Sequence, residues 1–596
     1  MNVVRAVNAT TGEQIWRYDP DVAGHVGTKR QVGWVHNRGL SFYRGKIFAA
    51  TWDGRLIAID AKTGELAWSV HTFDSNKPLY ITGAPKAFNG KVLIGNGGTE
   101  VGRARGSVTA YDAETGEESW KFHIVPGNPQ DGFENPAMEM ASKTWTGNWW
   151  EHGGGGNAWH GFTYDEELNV VYIGTGNGAP WNRRIRSPEG GDNLFLSSIV
   201  ALNADTGEYI WHYQETPGES WDYNSTMDIV LADIEVDGRP IKAILHAPKN
   251  GFFYVINRVT GKLISAEPFT RVTWATHINL ETGKPVETPD ARYEDGEALI
   301  WPSGHGAHSW QAMSYNPLTG LVYLPTMNLG GRYVDLNLDP SWRAEDFVGG
   351  TGVGLFEILV PDDMPPGLLQ AWDPIRQEAV WSVPQKHPWN AGTLTTAGNL
   401  VFQGRYDGMF SAYDATSGKE LWSYNLGLGI SAPPITYKID GQQYVALLVG
   451  YGGGYTTGFT PGLPDEGWAY GVHTRRLVTF ALDSELSLPP QPLPYFPQPI
   501  VATDFSIDER QATHGARLYG RYCGICHGGG AVANAMAPDL RASGIPLNFE
   551  KFSEVVRDGS RVSHGMPAFT ELEDGGLKGI MHYIRYVAHR DANLAD

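Results

Sequence analysis

Ala58-Ile-Asp-Ala-Lys-Thr-Gly-Glu-Leu-Ala-Trp68 is the stretch that decides the fold of this chain. Asp60 can accept hydrogen bonds from turn amides, and Gly64 supplies the positive φ that such a turn needs. Trp68 then ends a strand with a side chain large enough to wedge between neighbouring sheets. The same phrase runs from Ala6 to Trp16, Ala110 to Trp120, Ala201 to Trp211 and Ala412 to Trp422. Degenerate copies start at Val255 and Ala371. Alternating runs such as Lys46-Ile-Phe-Ala-Ala-Thr51 and Lys91-Val-Leu-Ile-Gly95 precede the copies. Hairpin sheets repeated at roughly 40–50 residues read as the blades of a β-propeller. Unrelated hairpins would not share one phrase.

The rest of the composition agrees. At 596 residues the chain exceeds one ordinary compact domain. Lys and Arg number 46 against 66 Asp and Glu, a formal charge of −20. That balance argues against nucleic acid and anionic membranes as partners. Hydrophobic residues at 41% suffice for a large core, and 74 glycines beside 21 tryptophans suit tight turns between strands. No apolar run approaches the ~18 residues of a membrane helix. The opening Met1-Asn-Val-Val-Arg-Ala6 lacks the zones of a signal peptide. The chain is expected to begin inside its first blade, N-terminally incomplete, with an exposed edge there.

Texture changes at Ser484. Leu488-Pro-Pro-Gln-Pro-Leu-Pro-Tyr-Phe-Pro-Gln-Pro499 reads as an extended linker. Helical spacing follows at Arg510–Tyr519 and Leu577–Val587. The expected division is a propeller over 1–483, a linker over 484–503 and a small all-α domain over 504–590. That last domain holds Tyr522-Cys-Gly-Ile-Cys-His527, the C-x-x-C-H signature of covalent c-type haem. Cys523 and Cys526 would bond the haem vinyl groups, and His527 would ligate the iron. A zinc knuckle needs further Cys or His at ligand spacing, and a thioredoxin-like motif needs a βαβ context. Met566, in His564-Gly-Met-Pro, is the candidate sixth ligand. A Met there raises the haem potential and suits electron transfer. Met536 and Met581 compete less well, the first too near the haem motif and the second within a helix. The segment resembles cytochrome c, and haem of this type is attached outside the cytoplasm.

The propeller carries further motifs. These are Gly97-Gly-Thr-Glu100, Gly153-Gly-Gly-Gly-Asn-Ala-Trp159, Gly174-Thr-Gly-Asn177-Gly-Ala-Pro-Trp181, Glu219-Ser-Trp-Asp222-Tyr-Asn224 and His246-Ala-Pro-Lys249-Asn-Gly251. Glu100, Asn177 and Asp222 are oxygen donors that suit a hard ion such as Ca²⁺. Alone, each of these residues has a plainer reading: a capped turn for Asp222, core for Trp159, a solvated charge for Lys249. Their ordered co-occurrence, with Asn37-Arg-Gly and the haem motif, resembles the pyrroloquinoline quinone (PQQ) dependent quinohaemoprotein alcohol dehydrogenases over nearly the whole chain.

The resemblance implies an eight-bladed propeller with PQQ near its axis. It implies Ca²⁺ held by Glu100, Asn177 and Asp222, with Asp222 as catalytic base. Trp159 becomes the floor under the quinone. Arg38, Thr82 and Lys249 bond PQQ, Gly98 and Thr99 meet it through their backbone, and Trp389 and Asn390 line the same cavity. The chemistry has physical sense: a Lewis acid raises quinone electrophilicity, a base removes the alcohol proton, and an aromatic face holds a planar cofactor.

Four departures from the family are visible. Val32 and Gly33 stand where many relatives have adjacent cysteines, leaving Trp34 to cover that face. Relatives have a longer N-terminus. Ser309 replaces an Asn, and Asn157 a Thr. Asn224 stands where lanthanide-dependent relatives place an Asp, which favours Ca²⁺ here. The expectation is a periplasmic enzyme that oxidises an alcohol and passes electrons through haem c to a small copper protein or cytochrome. Two alternatives stay open: a polymeric, cyclic or heterocyclic substrate, or a non-catalytic propeller scaffold with a separate haem carrier.

Overall fold

The computed structural model describes residues 2–25, 36–100, 102–294, 296–339, 341–343, 351–451, 466–470, 473–489, 496–533, 537–564 and 566–593. Val32, Gly33, Trp34 and Met536 lie outside the described residues.

Eight consecutive antiparallel sheets form the ring. Blade I pairs Val4–Val7 with Gln14–Tyr18. Blade II holds Ser41–Tyr43, Lys46–Ala50, Arg55–Asp60 and Leu66–His71. Blade III holds Lys86–Phe88, Lys91–Gly95, Ser107–Asp112 and Glu118–His123. Blade IV holds Phe162–Asp165, Val170–Gly174, Ser198–Asn203 and Tyr209–Gln214. Blade V holds Val230–Val236, Arg239–His246, Phe252–Asn257 and Leu263–Pro268. Blade VI holds Ser314–Asn316, Leu321–Met327, Gly367–Asp373 and Glu378–Gln385. Blade VII holds Thr393–Thr396, Leu400–Gly404, Met409–Asp414 and Glu420–Asn425. Blade VIII holds Ile435–Ile439, Gln442–Val449 and Arg476–Ala481. Six blades thus have four strands, blade VIII three and blade I two among the described residues. The Tyr437 hydroxyl of blade VIII donates to the Ala9 carbonyl of blade I, 3.1 Å, joining last to first.

The repeated phrase is the turn between the third and fourth strands. In blade II, Asp60 Oδ1 accepts from the amides of Lys62 (2.9 Å) and Thr63 (2.8 Å). The Gly64 amide returns to the Asp60 carbonyl with φ at +77°. These bonds hold the Asp60 carboxyl below its ordinary range. The fourth strand then delivers Trp68 to the next blade. Its indole N–H donates to Ala113 O (3.3 Å), and its ring lies where a Cβ on Gly116 would sit, 2.8 Å away. Trp16 docks on Ala61 and Gly64 in the same way, Trp120 on Ala204 and Gly207, and Trp381 on Ala415 and Gly418. Glycine is required at these turns for the indole as well as for φ.

The degenerate copies differ in an instructive manner. Blade V ends its phrase with Ser265 instead of Trp, and blade VI carries Gln377 instead of Gly, at φ +56°. The Gln377 amide donates to Ser265 Oγ at 2.7 Å. A polar pair therefore replaces the indole-on-glycine contact.

Parity of the strands sorts every connection to one of two ends. Third-to-fourth turns lie at one end; second-to-third loops and blade-to-blade links lie at the other. All the longer insertions fall at the second end. They include the helix Pro136–Ser142, the hairpin Ala275–Asn279 with Lys284–Glu287, and the sheet of Glu297–Ile300, Gly330–Asp335 and Val353–Leu359. The apolar core runs between blades. Its largest cluster joins Tyr172 and Trp211 of blade IV to Phe252 and Tyr254 of blade V, with Trp221 and Trp274 from the links.

The C-terminal region is helical: Glu509–Tyr522, Phe549–Val556 and Asp574–Asn593. Asp508 caps the first helix through the amides of Arg510 and Gln511. Gly515 and Gly579 meet where the first and last helices cross, and any Cβ there would collide with backbone. Tyr519, Phe552, Leu577, Ile580 and Ile584 fill the centre. Among the described residues no helix is long and apolar enough to cross a membrane.

Candidate active site

The candidate site residues of the propeller, among the described residues, lie at the insertion-bearing end. Arg38, Thr82, Trp159, Asp222 and Asn390 are on blade-to-blade links. Gly98, Thr99, Glu100, Asn177 and Lys249 are on second-to-third loops. The alternation of the chain alone brings them to one face.

Asp222 is the centre of the cluster. Its Oδ2 accepts from Lys249 Nζ at 2.7 Å, and its Oδ1 accepts from Asn224 Nδ2 at 2.7 Å. Lys249 also donates to Gly304 O, 2.8 Å. Asp222 adopts φ +69°, so the backbone is turned sharply to aim the carboxylate. Burial pushes its carboxyl up to about 8; Lys249 pulls down, and Glu100 adds to the rise. Asn224 Oδ1 accepts from the Trp159 indole at 3.0 Å, so one amide ties Asp222 to Trp159. The Arg38 guanidinium lies over the Trp159 ring, 4.6 Å from its centroid, and the Arg38 amide donates to Thr82 O at 3.0 Å. A planar π surface with a cation above it suits a flat, anionic group.

Glu100 Oε1 accepts from Asn177 Nδ2 (2.5 Å) and from the Trp181 indole (2.6 Å). Two carboxylates and an amide therefore gather with one buried lysine, and a bound cation would offset the burial and the Glu100 charge that raise Asp222. Among the described residues no group of three His, Cys, Asp or Glu is placed as a metal site, because here the third donor is the amide of Asn177. Thr99 bonds Asn157 Oδ1 through both its amide (3.1 Å) and hydroxyl (2.8 Å). Gly98 at φ +95° has no room for a Cβ against Pro78 O and Leu79. Asn390 is more occupied than its sequence reading implied. Its Nδ2 donates to His387 O (2.6 Å) and its Oδ1 accepts from the Tyr406 amide (3.1 Å), so its side chain ties its own link to the second-to-third loop of blade VII. Trp389 beside it is buried, stacked on Trp310 at 6.4 Å and met edge-on by His305 at 5.5 Å. Ser309 is buried nearby in the chain.

In the helical region Cys523 is buried and Cys526 half-buried, both as free thiols. Burial pushes the Cys523 thiol up to about 12, so it has no thiolate character of its own. His527 Nδ1 bonds the Pro538 carbonyl at 2.9 Å. That bond engages Nδ1 and makes Nε2 the nitrogen that could ligate a metal, while burial favours the neutral ring. The Tyr519 hydroxyl pins the loop through Gly528 O, 2.8 Å. Met566 packs against the same core, and Met581 is buried within the last helix.

Comparison with known proteins agrees with this geometry. Residues 1–270 and 364–445 match the β-propeller domain of glucose, ethanol and alcohol dehydrogenases, and residues 510–584 match subunit III of cbb3-type cytochrome c oxidase. Quinohemoprotein alcohol dehydrogenase ADH IIB of Pseudomonas putida is 47% identical over 99% of this chain and 84% of its own. The chain belongs to the quinohemoprotein alcohol dehydrogenases.

The solved structure of the quinohemoprotein alcohol dehydrogenase ADHIIG from Pseudomonas putida HK5 superposes with a TM-score of 0.89. It is 43% identical and covers 98% of this chain and 86% of its own. A europium-containing methanol dehydrogenase is 34% identical, covers 77% and 79%, and gives a TM-score of 0.69. Membership sets aside the non-catalytic scaffold reading.

In this quinohemoprotein alcohol dehydrogenase several residues that hold the site went unremarked in the sequence. Glu219, fully buried, accepts the amides of Trp221 (2.5 Å), Tyr223 (3.0 Å) and Gly178 (3.1 Å). Arg186, also fully buried, donates to Glu219 O (2.6 Å), Trp181 O (3.0 Å) and Pro180 O. The Tyr293 and Tyr333 hydroxyls take the carbonyls of Ser220 and Trp221, 2.8 and 2.9 Å. Glu219 stood within the quoted Glu-Ser-Trp-Asp motif, but spacing does not reveal that a carboxylate turns inward onto amides.

Proposed function

We propose that the chain is a periplasmic PQQ-dependent alcohol dehydrogenase. Its propeller over 1–483 oxidises an alcohol to an aldehyde or ketone, and its haem c domain over 504–590, joined by the linker 484–503, carries the electrons away. The observation that carries this reading is Asp222, a buried carboxyl held between Lys249 and Asn224 beside a second carboxylate and a flat indole.

When bound, PQQ supplies a two-electron acceptor, Ca²⁺ a Lewis acid and haem c a one-electron outlet. The donors Glu100, Asn177 and Asp222 suit the cation. Asn224 adds no charge and is spent on Trp159 and Asp222, which supports Ca²⁺ over a trivalent ion. Trp159 offers a face to the quinone, with Arg38, Thr82, Lys249, the backbone of Gly98 and Thr99, and Asn390 as its polar surround. Asp222 receives the hydroxyl proton, which makes the carbinol carbon a better hydride donor. Lys249 steadies the carboxylate as it gains and loses that proton. Cys523 and Cys526 would hold the haem, and His527, through Nε2, and Met566 would ligate its iron. A small copper protein or a cytochrome is the external acceptor.

The test is absorbance of the haem-loaded protein titrated with PQQ, Ca²⁺ and a primary alcohol. Haem reduction that requires all three supports the reading. Haem that dithionite reduces but the three together do not would leave only the cytochrome.

A further inference from the structure

We infer that Glu219 is a positioning residue whose carboxylate locks the loop bearing Asn177 to the link bearing Asp222, so that cation ligand and base move as one unit. The inference rests on the reading of Asn177 as a cation ligand and Asp222 as the base.

The geometry is specific. Gly178 directly follows Asn177, and Trp221 and Tyr223 flank Asp222. One oxygen of Glu219 accepts the Gly178 amide at 3.1 Å; the other accepts the amides of Trp221 at 2.5 Å and Tyr223 at 3.0 Å. The Glu219 carboxyl is thus buried away from solvent, which raises its pKa, while the Arg186 charge and the three amides favour the carboxylate form. An acceptor-only carboxylate is the one side chain of this length that can serve both loops at once. Asp222 itself sits at φ +69°, a conformation that persists only when its neighbours over-determine it. Both flanking amides are held by Glu219, and the Trp221 carbonyl is held by Tyr333. Arg186 adds a second tie between the same two segments, from Glu219 O to Pro180 O and Trp181 O. Glu219 touches neither candidate ligand directly; its effect passes through the backbone on either side of them. Outer partners of this kind commonly change metal affinity or activity by about 10–100-fold when altered.

Glu219→Gln is the discriminating variant. Glutamine has one acceptor oxygen, so it can serve Gly178 or the Trp221–Tyr223 pair but must turn its NH₂ toward the other. The Arg186 tie stays, so the fold survives. In the haem-loaded full chain, Ca²⁺ titrations followed by tryptophan fluorescence should show about tenfold or greater weakening. With PQQ and saturating Ca²⁺, kcat should fall about tenfold or more while KM for the alcohol stays within about twofold. Glu219→Asp, too short to span both loops, should behave alike. Wild-type Ca²⁺ affinity and kcat in both variants overturn the inference alone. A wild-type chain that takes no Ca²⁺, or an Asp222→Asn variant with full turnover, overturns the site reading and the inference with it. Hydrogen exchange on the unmutated holoenzyme needs no variant: peptides containing Gly178 and Tyr223 should open together, and independent opening also refutes the coupling.

Discussion

The two ends of the propeller follow opposite rules. At one end the same short turn recurs, with an Asp or Asn side chain bonding the amides two and three residues on, as at Asn8, Asp60, Asp112, Asn203 and Asp414. At the other end the same turn returns only inside the inserted hairpin, at Asn279, while the links and loops that hold Asp222, Lys249, Glu100, Asn177 and Trp159 share no common phrase. Repetition concentrates stability where nothing reacts. Variation concentrates function where strain can be tolerated because the ring below is fixed.

Four experiments would break or sharpen this contrast. The largest effect belongs to Asp222→Asn at the variable end. Alcohol-driven haem reduction should slow by about 10²–10⁴-fold, while dithionite still reduces the haem and the chain stays folded. Next is Trp120→Ala at the repetitive end. Trp120 is buried against Gly207, so about 3 kcal/mol of stability should go, read from the denaturant midpoint, with kcat per folded molecule unchanged. A swap of these two outcomes would dissolve the contrast.

The third prediction concerns pH. Without the cation, Asp222 titrates near 8 in the fold against an ordinary 3.8. Between those values the folded chain keeps a proton that the unfolded chain has lost. The cation-free protein therefore loses stability from this group as pH rises through that window. A cation must expel the proton, so Ca²⁺ affinity should climb about tenfold per pH unit up to about 8 and then level. Calorimetry in two buffers of different ionisation enthalpy checks it: about one proton is released at pH 6 and none well above 8. The smallest effect is Gln377→Gly. Relief of φ +56° and loss of the Ser265 bond oppose each other, so stability should change by less than about 1 kcal/mol.

Legibility in the sequence follows the same division. The repeat names its turns because Asp, Gly and Trp each act locally or on the adjacent blade, and so the propeller was readable from Ala58–Trp68 alone. The haem motif was equally plain, since two thiols and an imidazole within five residues have few other uses. Asp222, Glu100 and Asn177 were readable only together, by resemblance. Glu219, Arg186, Tyr293 and Tyr333 were not readable, because each acts on backbone atoms of a distant segment that any residue would present. The tie that Asn390 makes to the Tyr406 amide of another loop was hidden for the same reason.

The docking of each Trp on the next blade has a consequence for assembly. Every blade from I to IV hands an indole forward and, after the first, receives one, so the contact is head-to-tail and carries no stop signal of its own. Head-to-tail contacts close into rings only if the rotation per unit sums to a full turn. A blade that fails to form leaves an unfilled socket on one neighbour and an undocked indole on the other. A second molecule in the same condition presents the matching pair, so the interaction that seals the ring in one chain would, in a damaged one, join chains into swapped oligomers.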